Sequence, residues 1–303
     1  MRHDDGHWVT DADEIKRMVV EFFATLFTDD MSHSHFELPS GLFPQLASEK
    51  LDLLAKSYDA EEVFLALSTM APFKAPGPHG FQTLFYQKYW ALVGRSVCDF
   101  VLGVLNGGHF PEGLNDTFLT LIPKVEHPQT VTQFRPIGLC NVAYKLITKV
   151  LVQRLKKILP DLISPYQASF IPGRQITDNI VIMQEALHTM RRKKGLHGLM
   201  AIKLDLEKAY DKLNRNFIKS TLLDMRLPQL MVEVIMRCIT SCSMRVLWNG
   251  ESTDCFHPSR GIRQGDPLSP YIFVACVERL SQLIEGLVQG GQWRPLRVCK
   301  NGP

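Results

Sequence analysis

The 303-residue sequence lacks any run of about 18 apolar residues, so it offers no helix able to cross a bilayer. Its first seven residues, Met-Arg-His-Asp-Asp-Gly-His, are polar, and no apolar h-region follows that would mark a secretory signal. Seven cysteines, scattered and odd in number, do not make a disulfide framework and fit a reducing compartment. Cys238 and Cys242 stand four apart on a predicted helix, with no paired Cys or His ligands beside them. They read as packing residues rather than a zinc site. Acidic residues are missing altogether from 141–159, a segment holding Lys145, Lys149, Arg154, Lys156 and Lys157. A solvated helix normally mixes signs, so this face leans toward phosphates, although a chance excess would look the same.

What is present fits a globular chain of about two domains: 45% hydrophobic and 21% charged residues. The net charge of +3 is unevenly spread. Residues 1–70 hold 5 Lys/Arg against 14 Asp/Glu, whereas 71–303 hold 29 against 17. That split suggests an acidic leader, 1–70, and a body that meets polyanions.

In the leader, Asp11 or Asp13 caps a predicted helix reaching Phe27, and Asp59 with Glu62 forms a capping-box pattern for a second helix to about Met70. Neither carries visible chemistry, and both read as packing or connecting elements. The loop Lys74-Ala75-Pro76-Gly77-Pro78-His79-Gly80 precedes an aromatic cluster of Phe81, Phe85, Tyr86, Tyr89 and Trp90. Basic plus aromatic suits a nucleic-acid strand, and equally suits a plain loop before an amphipathic helix. A strand is predicted over 117–125 and a further element from Phe134. Asn141–Leu159 has strong helical periodicity, with its lysines opposite the apolar face. Asp178 is the predicted cap of a helix that ends in Arg191-Arg192-Lys193-Lys194-Gly195, cations where the helix dipole favours them and then a C-cap glycine.

Leu199-Met200-Ala201-Ile202-Lys203-Leu204 reads as a buried strand ending in Asp205, with Tyr210 and Asp211 just beyond. A carboxylate there is either a metal ligand or an ordinary helix cap. Two helices follow, over about 216–225 and 229–242, then a hairpin from Met244 into the Asn249-Gly250 turn. In Arg260 to Tyr271, Gly261 and Gly265 would let a base or sugar approach the backbone, and Asp266-Pro267 make an N-cap and first helical position.

Several of these stretches occur together in one order: KAPGPHGF (74–81), LIPKVEHP (121–128), FRPIGLCNVAYKLITKVLVQRL (134–155), SFIPGRQITDNI (169–180), KLDLEKAYD (203–211) and SRGIRQGDPLSPYIF (259–273). In that order the chain resembles the reverse transcriptase of plant LINE-type (non-LTR) retrotransposons, over most of residues 60–303. The resemblance implies an α+β, helix-rich right-hand polymerase, with fingers over about 71–198 and part of the palm over about 199–303. It implies that Asp205, helped by the Leu206 carbonyl, ligates two Mg²⁺ ions for nucleotidyl transfer. Tyr210 would lie under the incoming sugar, and Arg135, with Lys124 second, would hold the triphosphate of a deoxynucleotide. Gln264 and Gly265 would line the nascent base pair, and Arg174 the template backbone. Lys74, Lys145, Lys149 and Lys156 would track an RNA template and DNA primer. Nuclear localisation follows from the same resemblance.

The sequence also departs from that pattern. His79 stands for a usual Asp, Glu207 for a small hydroxyl residue, Gly138 for Ser, and Asn214-Arg215 for a Glu-Trp pair expected to pack there. The aromatic-Ala-Asp-Asp motif that completes the metal site occurs nowhere in the sequence. The expectation is therefore a chain truncated before that hairpin, which extends no primer alone. Two further readings stay open: a non-catalytic nucleic-acid-binding remnant, and a metal-dependent phosphohydrolase in which Glu207 only imitates an Asp-x-Asp pair.

Overall fold

A computed structural model describes residues 1–3, 5–29, 39–194 and 199–294. Helix α1 (Ala12–Leu26) is capped by Asp11, whose carboxylate accepts the Glu14 amide at 2.9 Å. After α2 (Ser48–Ala55), α3 (Ala60–Ser68) opens with the predicted capping box. Asp59 accepts the Glu62 amide at 3.0 Å, and Glu62 accepts the Asp59 amide at 3.3 Å. Helices α4 (Thr83–Lys88) and α5 (Trp90–Leu105) lead to strands β1 (Asp116–Pro123) and β2 (Phe134–Cys140). Next come α6 (Val142–Leu162), α7 (Ile176–Arg192), α8 (Arg215–Asp224) and α9 (Gln229–Thr240). The hairpin β3 (Ser243–Trp248) and β4 (Glu251–Ser252) precedes α10 (Ser269–Gln289).

The strands form one mixed sheet in the order β2-β1-β3-β4. β1 runs antiparallel to β2, with Ile122 opposite Arg135, and parallel to β3. The Asn249-Gly250 turn has φ of +51° and +87°, the left-handed pair that the predicted hairpin requires. On one side, α1 lays Val19, Phe23 and Leu26 into a core with Leu119, Met244 and Val246. A larger core gathers residues of α2, α3, α5, α8, α9 and α10 around α6.

α6 is buried on nearly every side, not on one face as its periodicity suggested. Lys145, Thr148 and Arg154 are buried along with the apolar residues. The cause is tertiary, because α2, α3, α5 and α9 all pack against it. Arg154 shows how a cation is accommodated there. Its Nε and Nη2 donate to the two Glu62 oxygens at 2.8 and 2.7 Å. The other donors meet the carbonyls of Leu54 at 3.2 Å, Ser57 at 2.9 Å, and Lys56. The Tyr58 ring lies 3.7 Å from the guanidinium carbon, so every N–H has a partner and one face is stacked. The acid absent from 141–159 thus comes from α3.

That contact also packs the described part of 1–70 against the body. α1 covers the sheet, while Phe43, Leu54, Tyr58 and Val63 belong to the main core. The acidic excess of this region is partly the counter-charge of the body.

Two other expectations fail for want of a neighbour. α7 is capped by Gln175 rather than Asp178, and none of its residues is buried. Ile176, Ile180, Met183 and Leu187 form an exposed apolar stripe. The predicted C-cap Gly195 lies outside the described residues. Residues 201–206 form no strand, and Met200, Ile202, Leu204 and Leu206 are each more than half exposed. An extended segment is buried only when sheet neighbours satisfy its backbone, and none of the described strands pairs with it.

Candidate nucleotide and nucleic-acid site

The end of β1, the start of β2, the turn 206–211 and the loop 259–266 meet around a cleft of about 520 Å³. Two glycines make that meeting possible. The Gly138 amide in β2 donates to the Gln264 carbonyl at 2.7 Å. At Gly265, φ +104°, a Cβ would stand 2.7 Å from the Gly138 carbonyl oxygen. On the other flank, Gly261 (φ +82°) donates to the Leu213 carbonyl at 2.7 Å and Ile262 to that of Tyr210 at 2.8 Å. A Cβ on Gly261 would collide with the Asp211 carbonyl. The close approach expected at these glycines therefore serves protein backbone, not a base or sugar. Gly138, where the resembled family has Ser, is less crowded, a Cβ there meeting the Gln264 carbonyl oxygen and Thr117 at 3.2 Å.

Beneath the loop, the side chains of Arg263 and Asp266 turn inward. Arg263 donates to the Thr117 hydroxyl at 2.8 Å, the Cys238 carbonyl at 3.2 Å and the Asn115 side chain. It pairs with Asp266 at 3.3 Å, and Asp266 also accepts the Tyr144 hydroxyl at 2.6 Å. Asp266 is thus a buried hub. It accepts the Leu268 amide at 2.9 Å, but α10 starts two residues later than predicted, with Leu268 at its N-cap.

The cleft gathers Lys124, Arg135, Leu206, Tyr210, Gln264 and Gly265. Arg135 is exposed and makes no hydrogen bond or ion pair to any described residue. Lys124 donates to the Thr132 carbonyl at 2.9 Å. Tyr210 stacks on Phe273 with centroids 4.7 Å apart, and burial pushes its phenol above the ordinary tyrosine range. Asp211 forms the floor and is buried, accepting from the Gln264 amide at 3.2 Å. Burial raises its carboxyl pKa, against the pull of that hydrogen bond and of Lys208 and Lys124. Phe22 of α1 closes the cleft, with the Lys208 ammonium 4.7 Å from its ring. Sequence reasoning missed Phe22 because it lies on a helix face that reads simply as apolar.

Asp205 is exposed and does not line the cleft that its neighbour Leu206 enters. Its segment alternates Met200, Ile202, Leu204 and Leu206 with Lys203, Asp205 and Glu207. Glu207 points outward, 78% exposed, with its oxygen 4.0 Å from the Lys208 ammonium. Among the described residues, the group of three ligand side chains placed to share an ion is His3, Asp5 and His7, on the N-terminal hairpin. Asp205 has no such company, so one carboxylate and one carbonyl do not close a two-ion Mg²⁺ site.

The loop 74–80 docks on the start of α6. Asn141 accepts the His79 amide at 2.9 Å and donates to the Leu114 carbonyl at 3.2 Å. Gly77 abuts Cys140 and Asn141 with no room for a Cβ. Docking brings exposed Lys74 toward three lysines of α6. Lys145 is buried, its ammonium 3.5 Å from the Ala75 carbonyl, and burial with the nearby Lys74 charge lowers its pKa. Lys149 is lowered by burial and then by Lys156 and Lys74. Lys156 lies 5.7 Å from the Tyr271 ring. The predicted basic face survives as this cluster, with Lys145 withdrawn from solvent and Arg154 lost to the core.

Arg174 is elsewhere engaged. Its guanidinium donates to the carbonyls of Gln167 and Ile163 at 2.8 Å, of Pro160 at 3.2 Å, and of Ser164. It closes the end of α6 and the following loop, apart from the cleft lined by Arg135 and Tyr210. Asn214 corrects the expected loss of packing, since it caps α8 by accepting the Asn216 and Phe217 amides at 2.8 and 3.0 Å.

Comparison with known proteins places the sequence in a family. Residues 122–292 match the family described as reverse transcriptase (RNA-dependent DNA polymerase). Over 291 residues, 95% of this chain, it is 28% identical to the transposon TX1 uncharacterized 149 kDa protein of Xenopus laevis, covering 22% of that protein. It is 26% identical over 216 residues, 71% of the chain, to the Pol polyprotein of the type-2 retrotransposable element R2DM of Drosophila melanogaster, covering 20% of it. An uncharacterized mitochondrial protein of Arabidopsis thaliana is 47% identical over 55 residues, 18% of this chain and 45% of that one. The chain thus spans about a fifth of the two long relatives. With more than half of its residues matched and a mixed-sheet α+β fold to carry them, this chain belongs to the reverse transcriptase (RNA-dependent DNA polymerase) family.

Proposed function

We propose that this chain is the fingers and partial palm of an RNA-directed DNA polymerase that copies the RNA of a plant non-LTR element in the nucleus. The observation that carries the reading is convergence: Lys124, Arg135, Tyr210, and Gln264 with Gly265 come from four separated segments and share one cleft. An unpaired guanidinium beside an ammonium suits a triphosphate. Tyr210, held flat on Phe273, suits a sugar-facing ring. Lys74, Lys149 and Lys156, crowded without acid partners, suit the phosphates of template and primer. The Arabidopsis match supports the plant assignment. Nuclear action rests on the family reading alone, and imaging a tagged chain tests it.

A divalent ion would supply charge neutralisation at the reacting phosphates. Asp205 and the Leu206 carbonyl are its candidate ligands, and further carboxylates are needed to close the site. Asp205 in this reading waits for a covering hairpin that brings them, and the bare alternation of 200–206 and the bare stripe of α7 are the surfaces such a hairpin would meet.

Two assays test the reading. With RNA template, DNA primer, deoxynucleotides and Mg²⁺, the 303-residue chain is expected to extend no primer; extension overturns the need for added carboxylates. Arg135→Gln is expected to weaken deoxynucleotide binding about tenfold with an unchanged unfolding midpoint. The lone carboxylate at 205 favours a second reading, a non-catalytic nucleic-acid binder. RNA affinity that falls steeply with salt, together with no measurable deoxynucleotide binding, selects that one.

A further inference from the structure

A second cleft, of about 920 Å³, opens between α8 and α9 and shares no lining residue with the nucleotide cleft. Its distinctive wall is the departure Asn214-Arg215. Arg215 makes no hydrogen bond or ion pair with any described residue, and its Nε is buried without a partner. Arg154 and Arg174, by contrast, donate to carbonyls and, for Arg154, the Glu62 carboxylate. Arg279 shares a partnerless buried Nε, but its other nitrogens reach Asp224 and the Pro39 carbonyl at 2.6 Å. A guanidinium withdrawn from water and unpaired is costly unless an anion completes it. Burial, and then the neighbouring Arg263 charge, weigh against its protonated form, with only Cys242 opposing.

The surroundings favour an oxyanion. Lys219, one turn along the same face of α8, is exposed and unpaired, and Arg237 enters from α9, holding the Gly108 carbonyl at 2.8 Å. Two acids also line the cleft, and both are engaged. Glu233 accepts from Gln229 at 2.9 Å, and Asp29 accepts from Asn214 at 2.7 Å. The α8 amides are not part of the case, because Asn214 already caps them. Among the described residues no aromatic side chain lines the cleft, so none of them offers a base a stacking platform there.

We infer that the α8–α9 cleft binds a phosphate group, with Arg215 as its bidentate donor and Lys219 as its second cation. The phosphate comes either from a nucleic-acid backbone or from a free anion such as pyrophosphate. The inference is independent of the polymerase reading.

The full chain tests it with two probes at matched ionic strength, inorganic pyrophosphate and a short labelled RNA. Pyrophosphate is expected to raise the unfolding temperature, and Arg215→Gln to remove the part of the rise that Arg135→Gln leaves intact. Lys219→Gln is expected to weaken pyrophosphate several-fold, and Arg215→Lys to keep a partial response. If Arg215→Gln also lowers the salt slope of RNA binding by about 0.7, the bound phosphate belongs to a strand. If RNA binding is unchanged while pyrophosphate is lost, it is a free anion. Should Arg215→Gln fail to fold, Lys219→Gln and Arg215→Lys carry the test. Equal pyrophosphate and RNA responses in wild type and all Arg215 and Lys219 variants overturn the inference.

Discussion

Two stretches of the chain exchange the characters their sequences suggest. Residues 259–266, rich in glycine and donors, read as a flexible loop open to a ligand, yet they are the most firmly held irregular segment in the protein. Residues 199–206, apolar and β-prone, read as a buried strand, yet they lie exposed. The difference is one of partners. The loop finds β2 on one side, the 210–213 turn on the other, and a buried set of Tyr144, Thr117 and Asn115 below. The apolar segment finds no strand among those described. Local composition sets what a segment needs, and its neighbours decide whether the need is met.

Breaking the loop's interior should produce the largest effect. Arg263→Met leaves Asp266 buried without its cation, and is expected to cost about 3–5 kcal/mol in urea unfolding. A loss under about 1 kcal/mol would mean that the loop is held by its glycines alone. Gly261→Ala meets both a left-handed φ and the Asp211 carbonyl, so about 2–4 kcal/mol is expected in the same assay.

Asp211 gives a pH-dependent and smaller effect. Its folded pKa is raised by burial, so the folded state binds the proton more tightly than the unfolded chain. The ionised carboxylate is therefore a cost that is absent below the ordinary carboxylate pKa and complete above the raised folded value. Asp211→Asn should accordingly raise the melting temperature at pH 7 by a few degrees at most, with the gain shrinking toward pH 4. The reverse trend would show that Lys124, Lys208 and Gln264 together outweigh burial. At the other end of the comparison, Leu204→Ser on the bare segment should change stability by no more than about 0.5 kcal/mol. A larger loss would reveal a partner for that segment in solution.

How much was legible follows the same line. Capping of α1 and α3, the Asn-Gly hairpin and the strand leading to Lys124 were readable, because each is decided by residues within a few positions; the element opening at Phe134 was placed but not typed. The membership of the nucleotide cleft was reachable only through motif order, since no local rule brings 124, 135, 210 and 264 together. Arg174 was read as a template contact and Arg154 as one cation of an acid-free segment. Nothing near them in sequence announces the carbonyls and the Glu62 carboxylate that absorb them.

By itself, the sequence determined the helices and turns, the charge excess of the body, and the family, because periodicity, capping and motif order are properties of the chain. Tertiary structure alone decided which cations stay free, which glycines serve backbone contact, and whether Asp205 has company. Burial and pairing are properties of what lies alongside, and a residue's neighbours in space are seldom its neighbours in sequence.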